Sequence, residues 1–365
     1  MNRDCSLAIK GLIILSTLIY VSSTLIARDV RLYRSAYFLG RGDTGIANAD
    51  GHEAITYNPA GIAKGKGIYK ETVLASPLVE GSAAIKDLYR KYVIEKNTDA
   101  ETLVEELGKN QHVGFYNYSG LVFRRAALGA TVSSTTNLLP YRSSTYSGLP
   151  VVQGETTANQ VVTFALAENF FSKNFFMGLT GKYIKRQEAA LSVAIAEADN
   201  IESKLSDSNI LNTAYGFGGD LGIMYRSNSK KAPFSMGLTV ENVGNINMTG
   251  ATQKDKMEAL PQMVNFGISI EPKTRASAFK FLADYRDILS GNESNSLKKI
   301  HLGTELSIKD MIGITSGFNQ GYPSIGAYID TYVFRFDIGS YTEEVSERVG
   351  NRPDQRFFLR MKTGF

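Results

Sequence analysis

The chain has 365 residues, with 40 Lys and Arg against 36 Asp and Glu, a formal charge of +4 and 43% hydrophobic residues. So even a balance excludes the basic field that nucleic-acid binding requires, and the length admits two soluble domains or one large β-barrel. There are 19 Phe, 19 Tyr and no Trp, so any aromatic girdle at a membrane interface has to be built from Tyr and Phe.

The first segment is a leader. Arg3 and Lys10 precede Gly11 to Ala27, an uncharged run of apolar and hydroxylic residues. A basic region followed by an apolar one is the layout of a secretory signal peptide, expected over residues 1–27 with cleavage after Ser23 or Ala27. The one cysteine, Cys5, lies before this run, so removal of the leader leaves no thiol, which suits export through an oxidising periplasm. No later stretch is long and apolar enough for a spanning helix, so a membrane protein of this sequence has to span as a barrel.

Gly40 to Lys64 follows, with five glycines and a compact Asn58-Pro59-Ala60-Gly61 turn. Gly and Asn-Pro punctuate structure rather than propagate it, so this reads as loop with a helical turn. From Gly67 onward the pattern has period two. Tyr215, Phe217, Gly219, Leu221, Ile223 and Tyr225 alternate with Gly216, Gly218, Asp220, Gly222, Met224 and Arg226. The same apolar-versus-small-or-charged alternation recurs over Phe234–Glu241, Val264–Ile270, Phe279–Arg286, Ile300–Ile308 and Tyr332–Ile338, which puts two chemically distinct faces on each strand.

Strands are expected near 66–76, 112–124, 125–136, 157–169, 173–186, 213–227, 232–243, 261–271, 277–288, 298–308, 310–319, 323–330, 331–341 and 356–365, about fourteen in all, the even number that bacterial outer-membrane barrels have. Long connections alternate with short ones such as Asn169–Ser172 and Ser227–Lys231; only the eleventh, around Gln320-Gly321-Tyr322, is short out of turn. A barrel with long loops on one rim and tight turns on the other has this pattern. Two connections read as helical. One holds Ile85, Leu88, Tyr89 and Tyr92 on one face, then a capping box at Thr98 and Glu101 and a stop at Gly108; the other is the Ala-rich run from Ala189 to Leu205. These apolar helices either cap each other or form a landing groove for greasy ligands.

The last strand alternates Phe357, Leu359, Met361, Thr363 and Phe365 with Phe358, Arg360, Lys362 and Gly364. Lys182, Asp220, Arg226, Glu241, Lys280, Asp284, Glu305, Arg335, Asp337, Arg360 and Lys362 all fall on inward faces. They are expected to form an ion-pair network bracing a polar lumen, because Lys or Arg facing lipid would cost about 2–4 kcal/mol at the midplane. His52, His112 and His301 show no metal-ligand spacing, and no P-loop, GxSxG or CxxC occurs. Neither a metal, a cofactor nor an enzymatic activity is expected.

The Asn58-Pro59-Ala60-Gly61 turn at this place in the chain resembles the N-terminal hatch of the FadL family, the outer-membrane transporters of long-chain fatty acids and other hydrophobic compounds. The runs Gly218–Arg226 and Gly237–Gly244, then Leu260-Pro261, are similar to the branch of that superfamily with PorV-like and TraF-like proteins. The terminal Phe365 looks like the signal that outer-membrane barrels offer their assembly machinery. The resemblance implies an all-β transmembrane antiparallel barrel of fourteen strands over residues 66–365, plugged by a hatch at 28–65, in the bacterial outer membrane. It further implies a gating role for Asn58, Pro59, Ala60 and Gly61. A hydrophobic ligand would land among the outer loops, move the hatch and leave sideways through the wall. The alternative is a plugged barrel that serves as an assembly or secretion partner. The two differ in the lumen, which a transporter lines with an apolar pocket touching the hatch.

Overall fold

The structure is a computed structural model that describes residues 31–64, 69–85, 90, 107–142, 150–170, 173–194, 212–250 and 257–365. The expected leader, nearly all of the expected helices between Ile85 and Gly108, and residues 195–205 of the Ala-rich run lie outside the described residues.

Period-two sequence becomes one antiparallel sheet that closes on itself. Its strands are β1 (Tyr69–Ala75), β2 (Leu78–Ser82), β3 (Gln111–Phe123), β4 (Ala126–Arg142), β5 (Pro150–Asn169), β6 (Phe175–Ala194), β7 (Asn212–Arg226) and β8 (Phe234–Glu241). The circuit continues through β9 (Met263–Ile270), β10 (Ser277–Tyr285), β11 (Ile300–Ile308), β12 (Ile312–Asn319), β13 (Tyr322–Asp330), β14 (Phe334–Glu344) and β15 (Pro353–Gly364). Each pairs with its sequence neighbour, and β15 returns to pair with both β1 and β2. Those two are halves of one strand, interrupted at Ser76-Pro77, so the barrel is a closed one of 14 strands. Proline has no N–H to give the ladder, and it breaks the strand where it falls.

The face assignments follow the alternation. Leu302, Ile314 and Ile338 stand 44%, 58% and 60% exposed on the outside, while their neighbours His301, Thr315 and Asp337 are buried inside. Tyr and Phe build the girdle. Tyr69, Phe123, Phe175, Tyr225, Phe334 and Phe365 ring the short-turn rim, with Tyr69 packed at 6.1 Å from Phe123 and 6.5 Å from Phe365. The chain closes there, as Thr72 and Phe365 exchange backbone hydrogen bonds at 2.7 and 3.0 Å. Short turns and long connections alternate between the rims as the spacing implies, the β12–β13 connection being the short exception.

Four strands depart from expectation: the first, expected over 66–76, is broken at Ser76-Pro77 and runs on to Ser82. β4 runs six residues further than the alternation indicates, to Arg142 rather than 136; β5 starts at Pro150 rather than 157; and β6 continues to Ala194. Ala189 to Ala194 are therefore strand, not helix. Each of them faces a partner on β5, from Ala189↔Thr156 to Ala194↔Val151, and this unbroken ladder overrides the helical preference of alanine.

The outward face is a lipid-facing belt. Replacing Leu302 by Arg is expected to cost about 2–4 kcal/mol near the bilayer centre. Urea titration of folding into lipid vesicles measures this; a cost near zero would place Leu302 away from lipid.

Candidate functional site: the plugged lumen

Residues 31–64 lie inside the barrel, and nearly all of them are buried. Short helices at Ala36–Leu39 and Ala54–Tyr57 and 3-10 turns at Gly51–Glu53 and Pro59–Ala63 fold this segment into a plug. The Asn58-Pro59-Ala60-Gly61 turn is its corner. Asn58 Oδ1 accepts from the Ala60 N–H at 3.1 Å, and Pro59 takes the first helical position, where its missing N–H costs nothing. Asn58 Nδ2 donates to the Ile46 carbonyl at 2.8 Å within the plug and to the Ile223 carbonyl of β7 at 3.2 Å. One amide thus caps a turn, ties two plug segments together and docks them on the wall.

The wall is shaped for this contact by glycine. A side-chain carbon on Gly222 would collide with Asn58 and the Pro59 ring, and one on Gly237 would collide with the Ile46 carbonyl. Gly178, Gly267, Gly303 and Gly317 meet plug backbone or side chains in the same way. They lie side by side across the sheet, with Gly178 opposite Gly222, Gly237 opposite Gly267 and Gly303 opposite Gly317. Backbone approaches backbone here, and only glycine leaves the room.

Charges add a second set of contacts. Arg34 reaches Glu343 at 2.7 Å, Arg41 reaches Glu305 at 2.7 Å, and Glu53 accepts from Arg360 at 2.7 Å. The Gly45 and Ile46 N–H groups donate to Asp284 at 2.7 and 3.1 Å. Asp43 bonds Arg286 at 2.8 Å and also pairs with Arg31. Burial works against the Asp43 carboxylate, but Arg286 and Arg31 outweigh it and hold its pKa down to about 2.

The inward charges read from the sequence divide between wall and plug. Lys182 pairs with Asp220 at 2.7 Å, Arg335 with Asp337 at 3.0 Å, and Arg226 with Glu271 at 2.8 Å. Glu241 accepts from Asn265 at 2.7 Å, whereas Asp284 receives the plug backbone. Sequence reasoning missed the partners that the plug supplies, Arg34, Arg41, Asp43 and Glu53. The signal was present in the six charges carried between Arg28 and Asp43.

A cavity of about 60 Å³ separates the plug from the wall on the long-loop side, between Leu32, Tyr57, Val161, Lys182, Glu241 and Arg286. Leu32 and Val161 also belong to an apolar cluster with Ile184, Ile246, Met248 and Leu260, formed where the β8–β9 connection folds over Gly216 and Gly218. On the short-turn side a polar cavity of about 420 Å³ lies between Lys64, Arg226, Glu271 and Lys280. At the Ser76-Pro77 interruption the unpaired Ser76 N–H is met by Asn117 at 3.0 Å and the Leu74 carbonyl by Ser119 at 2.8 Å, which leaves a seam in the wall sealed by side chains. Among the described residues no group of three or more His, Cys, Asp or Glu could hold a metal ion.

Neither a protein-family model nor a curated protein matches the sequence. Solved structures do match. The toluene transporter TodX of P. putida superposes with a TM-score of 0.51 at 10% identity, over 90% of this chain and 97% of TodX. The monoaromatic hydrocarbon channel CymD superposes with a TM-score of 0.50 at 11% identity, over 90% of this chain and 96% of CymD. The chain shares with these two channels the fold of a closed 14-strand antiparallel barrel. The plug contact generates a test. Gly237→Val is expected to displace the plug and expose it to protease while the barrel keeps its heat-modifiable migration on a gel. Gly181→Val, on the outer face where the nearest atom is 3.9 Å from the added carbon, is expected to leave the plug protected. Equal protection in both variants would contradict the contact.

Proposed function

We propose that the chain is an outer-membrane channel for the passive uptake of small hydrophobic molecules, gated by the N-terminal plug. The observation that carries this reading is the continuity between the apolar cluster around Ile246, Met248 and Leu260 and the cavity that touches the plug at Leu32 and Tyr57. A ligand would trade water for that cluster, gaining about 25 cal/mol per Å² of apolar area, with no covalent step. On the long-loop side, where a ligand would enter, the seated plug leaves about 60 Å³, well short of the roughly 150 Å³ of a dry cavity that takes up benzene. Passage therefore requires the plug to move. Asn58, Pro59, Ala60 and Gly61, at the corner docked on β7, are the residues proposed to gate it. The sealed seam at Ser76-Pro77 is the proposed side exit to outer-membrane lipid. TodX is a toluene transporter and CymD a monoaromatic hydrocarbon channel, so an aromatic hydrocarbon joins a long-chain fatty acid as a candidate ligand. Residues 1–27 remain our reading of the leader, and Phe365 that of the signal to the barrel assembly machinery.

The paired charges that fill the lumen favour a second reading, a plugged barrel of the PorV or TraF kind that serves as an assembly or secretion partner. Proteoliposomes separate the two. Uptake of a labelled long-chain fatty acid or of labelled toluene above that of empty vesicles is expected, and it is expected to fall severalfold when Asn58-Pro59-Ala60 is rebuilt as Gly-Ser-Gly. No uptake by the unaltered protein would favour the partner reading, and unchanged uptake by the variant would remove the corner from the gate.

A further inference from the structure

His52 has no part in the corner or in the cavity on the long-loop side, yet it is buried at the centre of a chain of charges. Its backbone N–H and its Nδ1 both lie 3.0 Å from one oxygen of Glu71 on β1, and its Nε2 lies 3.4 Å from Glu53. Glu53 is held by Arg360 at 2.7 Å and by the Ser35 hydroxyl at 2.6 Å, and Glu71 by Lys362 at 2.7 Å. Arg360, Glu53, His52, Glu71 and Lys362 therefore alternate in sign when His52 is protonated. The two ends sit on β15, Glu71 on β1, and the two central members on the plug. The remaining groups packed on the imidazole side are Tyr118 of β3, whose ring lies 5.3 Å away, and Tyr33 of the plug beside Glu53.

The chain of charges crosses the place where the barrel closes. β1 pairs with β15 at Val73↔Gly364 and Ala75↔Thr363, with an irregular register between them, and through the Thr72–Phe365 exchange, while β2 adds five positions from Arg360↔Leu78 to Arg356↔Ser82 beyond the Ser76-Pro77 interruption. We propose that protonated His52 is a latch that fastens the plug to this closing seam, and that loss of its proton loosens the plug. A neutral imidazole carries one N–H and can serve one carboxylate, whereas the charged ring serves Glu53 and Glu71 together. The latch acts on the seating of the plug and is independent of what the lumen carries.

Burial alone would lower the pKa of His52, but Glu71 and Glu53 outweigh it and raise it. A raised histidine stabilises the seated plug fully below its ordinary pKa and loses that contribution as pH rises through the raised value. The plug is thus fastened in acid and slackened in base.

The test uses Ala54→Cys, two residues from His52 and fully buried, as the single thiol in a leader-free barrel reconstituted in vesicles. Maleimide labelling is followed from about pH 5 to 9, with Ser229→Cys, at an exposed position, correcting for thiolate formation. Corrected labelling is expected to be slow in acid and to accelerate severalfold in base. His52→Gln is expected to label rapidly at every pH while keeping heat-modifiable migration. A corrected rate that does not change with pH in the barrel with His52 intact overturns the latch, whatever becomes of the His52→Gln variant. So does a folded His52→Gln barrel that keeps the pH dependence. No ligand is present, so neither outcome depends on the transport reading.

Discussion

The structure depends on the close approach of two backbones. A plug can fill a 14-strand barrel only if its main chain lies against the wall, and β-carbons on the inward positions would hold it off. Gly178, Gly222, Gly237 and Gly267 remove them where the plug corner and Ile46 dock. The cost is strand stability, since glycine packs nothing and has the most conformational freedom to lose. That cost is tolerable where each strand is hydrogen-bonded on both sides and the lipid face supplies apolar burial.

Glycine makes room, and charge holds the plug in it. The plug meets β3–β7 through apolar residues such as Ile55, Ala60 and Ile62, and meets β10–β15 through Arg34, Arg41, Asp43 and Glu53. Buried charges are expensive to desolvate, and breaking such a pair on one side costs about 3–5 kcal/mol because the other charge is left behind. The plug is therefore not greased for sliding. Movement has to exchange these partners for others or for water. The wall offers alternative partners: Glu305 binds Lys280 as well as Arg41, and Asp337 binds Arg335 as well as Arg360.

Much of this was legible in the sequence. Faces were readable because a strand that meets acyl chains on one side must alternate, and Tyr215 to Arg226 does so with only Gly219 and Met224 out of pattern. Rims were readable because turn chemistry and loop length differ between them. The tops of β4, β5 and β6 were hidden, since alternation lapses at Ser133–Thr136 and in the Ala-rich start of the misread helix. The inward glycines were visible as a crowded small-residue face, but the reason for them lies in residues 31–64, more than a hundred positions away. The ionic half of the site was concealed similarly: Arg41 and Glu305 are separated by 264 residues. His52 stood beside the corner with no local pattern to give it a role.

Hydrogen exchange in nanodiscs, read by mass spectrometry, measures the central claim most directly. The Gly45 and Ile46 amides are bonded to Asp284 and the Asn58-to-Gly61 corner is buried, so peptides spanning residues 41–62 should exchange as slowly as those of β10 and β11. Complete exchange of these peptides at the rate of an unstructured chain, with the strands still protected, would put the segment outside the barrel and contradict the account.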